Sequence, residues 1–72
     1  MIRYLPFEEE RYHVDIGPYV TYGIAAVDER GNVVRSISDV STDKAYCASL
    51  CKKCTINRLD PIHLYDVVED SI

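Results

Sequence analysis

The chain has 72 residues, 47% hydrophobic and 28% charged. That is one small domain: a chain this short buries only about 60% of the surface it exposes when unfolded, and so has little room for both a core and an enclosed active-site cavity. Twelve acidic residues against eight basic ones give a net charge of -4, which opposes a phosphate backbone and argues against nucleic acid as a partner. No run approaches the ~18 apolar residues of a membrane span, and residues 1–6 lack the apolar segment of a signal peptide, so a cytoplasmic location is expected.

Taken in order, residues 11–16 alternate, with Tyr12, Val14 and Ile16 on one face and Arg11, His13 and Asp15 on the other. The alternation predicts a half-buried first strand. The preceding segment, with Glu8, Glu9 and Glu10 after Pro6, either extends that strand or stays loose. Gly17 and Pro18 break the run. Residues 19–27 resume it with Val20, Tyr22, Ile24 and Ala26 in phase, the most apolar stretch and the expected central strand. Residues 28–32 are polar and include Gly31, which suits positive φ, so they predict a hairpin loop into a third strand over 33–38.

After Asp39 the period changes. Ser41 or Thr42 is placed to cap a helix over about 42–55, in which Cys47, Leu50, Cys51 and Cys54 recur at i, i+3, i+4 and i+7. Lys52 and Lys53 sit near its C-terminal end, where cations suit the dipole, and Asn57 is a candidate left-handed stop. A second helix start is written out in full, with Asp60 as N-cap, Pro61 at the first helical position and Leu59 placed to staple against Leu64. Leu64, Tyr65, Val67, Val68 and Ile72 then form a broad apolar stripe, with Asp66, Glu69 and Asp70 facing water.

The three cysteines carry the chemistry question. Their C-x3-C-x2-C spacing is the one that radical S-adenosylmethionine enzymes use to hold an iron–sulfur cluster, but on a loop of a partial barrel far larger than this chain. In a regular helix Cys47 and Cys54 lie about 10 Å apart along the axis, whereas sulfurs sharing one zinc must approach to about 4 Å. Convergence of all three thus requires an unwound helix. A smaller site of Cys51, Cys54 and His63 is the metal alternative, and Cys51 with Cys54 is the thiol-redox one. The redox pairing suffers from its position near the end of a helix, where the dipole opposes a thiolate; redox pairs open helices instead. The reading adopted is a thiol-lined core face with no cofactor. An odd thiol count fits a reducing compartment.

Little suggests an enzyme. His13 lies on the polar side of a strand and His63 in a first helical turn; a hydrolase using His63 and a nearby carboxylate has no spacing to support it. Contact residues are easier to nominate. Asp66, Glu69 and Asp70 lie toward the unfavourable end of their helix dipole, so local stability does not account for them. Of the six tyrosines, Tyr12 and Tyr22 fit the core phase, while Tyr4, Tyr19 and Tyr46 are harder to place. Exposed tyrosine suits a contact surface, and a tyrosine-flanked strand edge suits strand addition or a homodimer.

The stretch over residues 59–70, LDPIHLYDVVED, resembles the C-terminal signature of a family of small Firmicute proteins classed as a domain of unknown function. Tyr22-Gly23-Ile24 and residues 37–41 are similar to that family's middle motifs, in the same order. The resemblance implies a bacterial cytosolic protein and no activity, substrate or cofactor. The expectation is therefore a single α+β domain over 1–72: a three-stranded antiparallel meander followed by two helices packed on one face. Its expected role is a non-enzymatic adaptor or regulator with a protein partner, contacted through Tyr19 or through Asp66, Glu69 and Asp70.

Overall fold

A computed structural model describes residues 1–71. Strands β1 (Arg3–His13), β2 (Gly17–Val27) and β3 (Val33–Ser41) form an antiparallel sheet in the order β1-β2-β3. Helix α1 (Lys44–Ile56), a 3-10 turn (Pro61–His63) and helix α2 (Leu64–Ser71) follow. The α+β meander with two helices on one sheet face is the expected architecture.

The first strand differs most from expectation. It begins at Arg3, so the segment before residue 11 extends it, one of the two alternatives, and it ends at His13, short of the expected Ile16. Its 11 residues pair without a break with the 11 of β2, from Arg3 opposite Val27 to His13 opposite Gly17. Val14, Asp15 and Ile16 are the hairpin turn: the Ile16 amide donates to the His13 carbonyl at 3.2 Å, and Gly17 then takes φ +78°, a conformation that favours glycine. The alternation over 11–16 therefore straddles a turn, and its supposed inner face is outside: Tyr12 is 74% exposed, Val14 81% and Ile16 68%. Tyr4, hard to place from the sequence, is buried.

Pro6 shows how so long a β1 is tolerated. The Tyr4 amide points away from β2 and donates to Thr55 Oγ1 at 2.9 Å. Amide direction alternates along an antiparallel strand, so Pro6 also faces the outer edge, where its missing N–H interrupts no ladder bond.

β3 continues to Ser41, past the expected end at Ser38, because a bulge keeps it in the sheet. Tyr22 lies opposite Ser41 and Ile24 opposite Ile37, so a two-residue step on β2 faces four residues on β3. Asp39, at φ +54°, turns this corner. Its amide donates to Glu9 Oε2 at 3.2 Å, and its carboxylate accepts from the buried Thr21 hydroxyl at 2.7 Å. Opposite the bulge a side chain is forbidden: a Cβ at Gly23 would overlap the Phe7 ring and come within 2.5 Å of the Ile37 carbonyl oxygen.

α1 starts later than expected, with Asp43 and not Ser41 or Thr42 as its cap; Asp43 Oδ1 accepts from the Tyr46 amide at 3.2 Å. Ser41 instead accepts from the Asp43 amide through its hydroxyl. At the other end Asn57 is not the left-handed residue; Arg58 is, at φ +53°. The Leu59 amide donates to the Cys54 carbonyl at 3.0 Å and the Arg58 amide to the Thr55 carbonyl at 3.2 Å, the paired bonds of a Schellman stop.

The second start is as expected, with Asp60 capping through the Ile62 amide at 3.1 Å and Pro61 leading, although its first turn is 3-10. Ile72, expected to close the α2 stripe, lies outside the described residues. The core gathers Tyr4, Ile24, Ala26 and Val40 from the sheet, Cys47, Leu50, Cys51 and Cys54 from α1, and Leu64 and Val68 from α2.

Candidate functional site

The sheet is covered over only part of its length. Two contacts mark the span of α1: Thr55 meets Tyr4, and Cys47 Sγ donates weakly to the Tyr22 carbonyl at 3.8 Å. Tyr22 is opposite Glu8 on β1 and Ser41 on β3. Beyond that point the helix and the β3 pairing stop; Asp39 and Ser41 still reach Glu9 and Thr21, and residues 10–20 form a bare two-stranded arm. This arm accounts for the long molecular dimension of 40 Å against 25 and 19 Å.

Directly paired residues of an antiparallel sheet share a face. On the face that α1 covers further back, the arm therefore carries Glu10 beside Val20 and Tyr12 beside Pro18. Val20, in phase with buried Ile24 and Ala26, is 41% exposed. The other face carries Glu9 beside Thr21 and Arg11 beside Tyr19. There Glu9 is occupied, accepting from Arg11 Nε at 3.4 Å as well as from the Asp39 amide. Tyr19 is half-buried on this side of the arm.

The β1 edge is the arm's second feature. By the alternation that Tyr4 fixes, the amides of Glu8, Glu10 and Tyr12 point away from β2. Among the described residues, none of the three donates to a side chain or to any backbone group outside the ladder. Edges of this kind are usually interrupted or bulged, and here the β1–β2 register runs on unbroken to the tip.

The thiols are arranged for packing. Cys47, Cys51 and Cys54 are free and buried against the sheet. Burial pushes the Cys51 thiol up to about 12, with Cys47 and Cys54 adding to the effect, and burial raises the other two as well. Such thiols are poor nucleophiles, because the thiolate is the reactive form. His63 is exposed in the 3-10 turn, and among the described residues no three His, Cys, Asp or Glu side chains converge on a point that would hold a metal. Cys51, Cys54 and His63 are thus not brought together.

Asp66, Glu69 and Asp70 are exposed along α2; Asp66 lies in its first turn, the favourable end of the dipole and not the unfavourable one expected, while the last turn holds no basic residue to offset Glu69 and Asp70. A cavity of about 520 Å3 lies between Met1, Ile2, Arg58, Leu59, Asp60 and Pro61. Two of its polar groups are engaged: the Asp60 carboxylate caps the 3-10 turn, and the Met1 amino group pairs with Glu29 at 2.6 Å, lowering that carboxyl's pKa. No helix among the described residues is long and apolar enough to cross a membrane.

Sequence reasoning missed the arm as a unit, although one signal pointed to it: Pro6 tolerates an outward edge position, which allows β1 to reach back to Arg3 and so sets the hairpin turn at residues 14–16. Across residues 1–72 the chain matches the Family of unknown function (DUF6514), and it belongs to that family. No curated protein and no solved structure matches it.

Proposed function

We propose that this protein is a non-enzymatic interaction module, an adaptor or regulator of the bacterial cytosol, that meets a protein partner through the bare arm of its first hairpin. The observation that carries this reading is the exposure of Tyr12, Val14, Ile16 and Val20 together on one projecting element. Isolated apolar residues on a surface are ordinary, but four on one arm form a patch of the kind that contact sites use. Tyr19 extends the patch onto the other face. The buried, protonated thiols stand against a thiol-redox role for Cys51 and Cys54, and their being three and unpaired favours a reducing compartment.

The test is retention of a specific protein from an extract of the source cells by the immobilised chain. A variant with Val14→Ser, Ile16→Ser and Val20→Ser folds normally and loses that protein; equal retention by both overturns the reading. A second surface is favoured by one observation, the two uncompensated acids Glu69 and Asp70 toward the end of α2. If Asp66, Glu69 and Asp70 form a contact, reversal of Glu69 and Asp70 to lysine, which leaves the favourably placed Asp66 intact, releases the partner without lowering stability.

A further inference from the structure

We infer that the outer edge of β1 over residues 8–12 takes up an extended, basic segment of the partner as a fourth strand. The lysines or arginines of that segment lie beside Glu8 and Glu10, and its intervening apolar residues lie on the face of Phe7. This rests on the interaction-module reading and names the chemistry of the partner.

The edge is open over a defined length. At Tyr4 the outward amide is already bonded to Thr55, and at Pro6 there is no amide to offer. From Glu8 to Tyr12 the outward amides have no partner among the described residues, in a strand whose register with β2 does not shift. An added strand lies about 4.8 Å from its neighbour and repeats its side-chain direction about every 6.7 Å. Glu8 and Glu10, two residues apart, project on the same face at that repeat.

Charge selects the occupant. Glu9 is paired with Arg11, but Glu8 and Glu10 have no cation within salt-bridge distance among the described residues; Glu8 meets only the Tyr22 hydroxyl, at 3.5 Å. A second copy of this chain is a poor fit, because antiparallel pairing of two such edges sets three glutamates and one arginine from each copy along one seam, between molecules of net charge -4. A basic strand turns the same seam attractive. Val20, Pro18 and Tyr12 lie on the same face as Glu8 and Glu10, where they bury the aliphatic stems of the lysines or arginines whose charged ends meet the glutamates.

The experiment follows amide hydrogen exchange of the full chain by NMR with two probes, a short peptide alternating lysine and valine and a twin alternating glutamate and valine. The basic peptide is expected to slow exchange at Glu8, Glu10 and Tyr12 by about ten-fold, with an effect that weakens as salt rises, while the acidic twin leaves them unchanged. Glu10→Pro removes one outward amide without touching the ladder, as Pro6 does natively, and abolishes the protection at the remaining two. The charge-removing pair Glu8→Gln and Glu10→Gln keeps every amide and weakens binding by about five-fold. Unchanged exchange at the three amides with the basic peptide, or equal protection by the acidic one, overturns the inference. The parent reading fails separately: native-partner capture that survives Glu10→Pro overturns strand addition alone, whereas capture indifferent to the Val14, Ile16 and Val20 changes overturns the module.

Discussion

At its Val27 end β2 has a strand on either side and α1 above it; at its Gly17 end it has one neighbour and no roof. The residues are of the same kind throughout. Ile24 is fully buried and Val20, four residues earlier on the same face, is 41% exposed. Burial along this strand is decided by where β3 and α1 stop, and so by the caps at Asp43 and the bulge at Asp39, more than by the apolar character of each position. An apolar pattern thus identifies a strand, and its neighbours decide whether it becomes core or contact surface.

The sharpest way to break the comparison is to truncate a side chain in the roofed half. Ile24→Ala removes a fully buried chain and should lower stability by about 2–5 kcal/mol in urea unfolding, whereas Val20→Ser at the open end should stay within about 0.5 kcal/mol. Equal losses would mean that the arm is covered in solution. Next in size is Gly23→Ala, whose methyl collides with the Phe7 ring and the Ile37 carbonyl; a loss of about 1–3 kcal/mol is expected, partly recovered when Phe7 is also shortened to Leu.

The thiols provide a pH test of the same half. Below the ordinary thiol value of 9.0 they are protonated in folded and unfolded chains alike and contribute no pH dependence. Above it the unfolded chain releases protons that the folded chain retains, since burial has raised all three, so stability falls from about pH 9 toward the value near 12 that Cys51 reaches. The slope is at most about 1.4 kcal/mol per pH unit for each thiol, and Cys51→Ala should flatten it. The raised Tyr4 hydroxyl adds to the decline above 10.0. Smallest of all, Tyr12→Ala should shift the unfolding midpoint within error, because its ring contributes no core contact.

What was legible in the sequence was what local rules decide. Asp60 and Pro61 announced the second helical start because capping chemistry acts within a few residues, and the 3.6-residue recurrence of Cys47, Leu50, Cys51 and Cys54 named the buried face of α1. What misled was a pattern with two readings. Residues 11–16 alternate whether they form a strand or cross a turn, and only pairing with a partner 11 residues long distinguishes the two. The cap at Asp43 was passed over because Ser41 and Thr42 are equally able acceptors, and the continuation of β3 fixes the choice. Pro6 hints at a long β1, but the arm itself is not legible locally, because it is defined by where its neighbours end.

Tyr4 joins the start of the chain to its far half, its amide to Thr55 and its hydroxyl to the Leu59 carbonyl at 2.5 Å, across 51 and 55 residues. A nascent chain leaving the ribosome can close its hairpin early, but it cannot seat that tyrosine until Thr55 and Leu59 have been made. Until then the apolar side of the young sheet is without its lid, and anything that binds it during synthesis competes with the molecule's own second half.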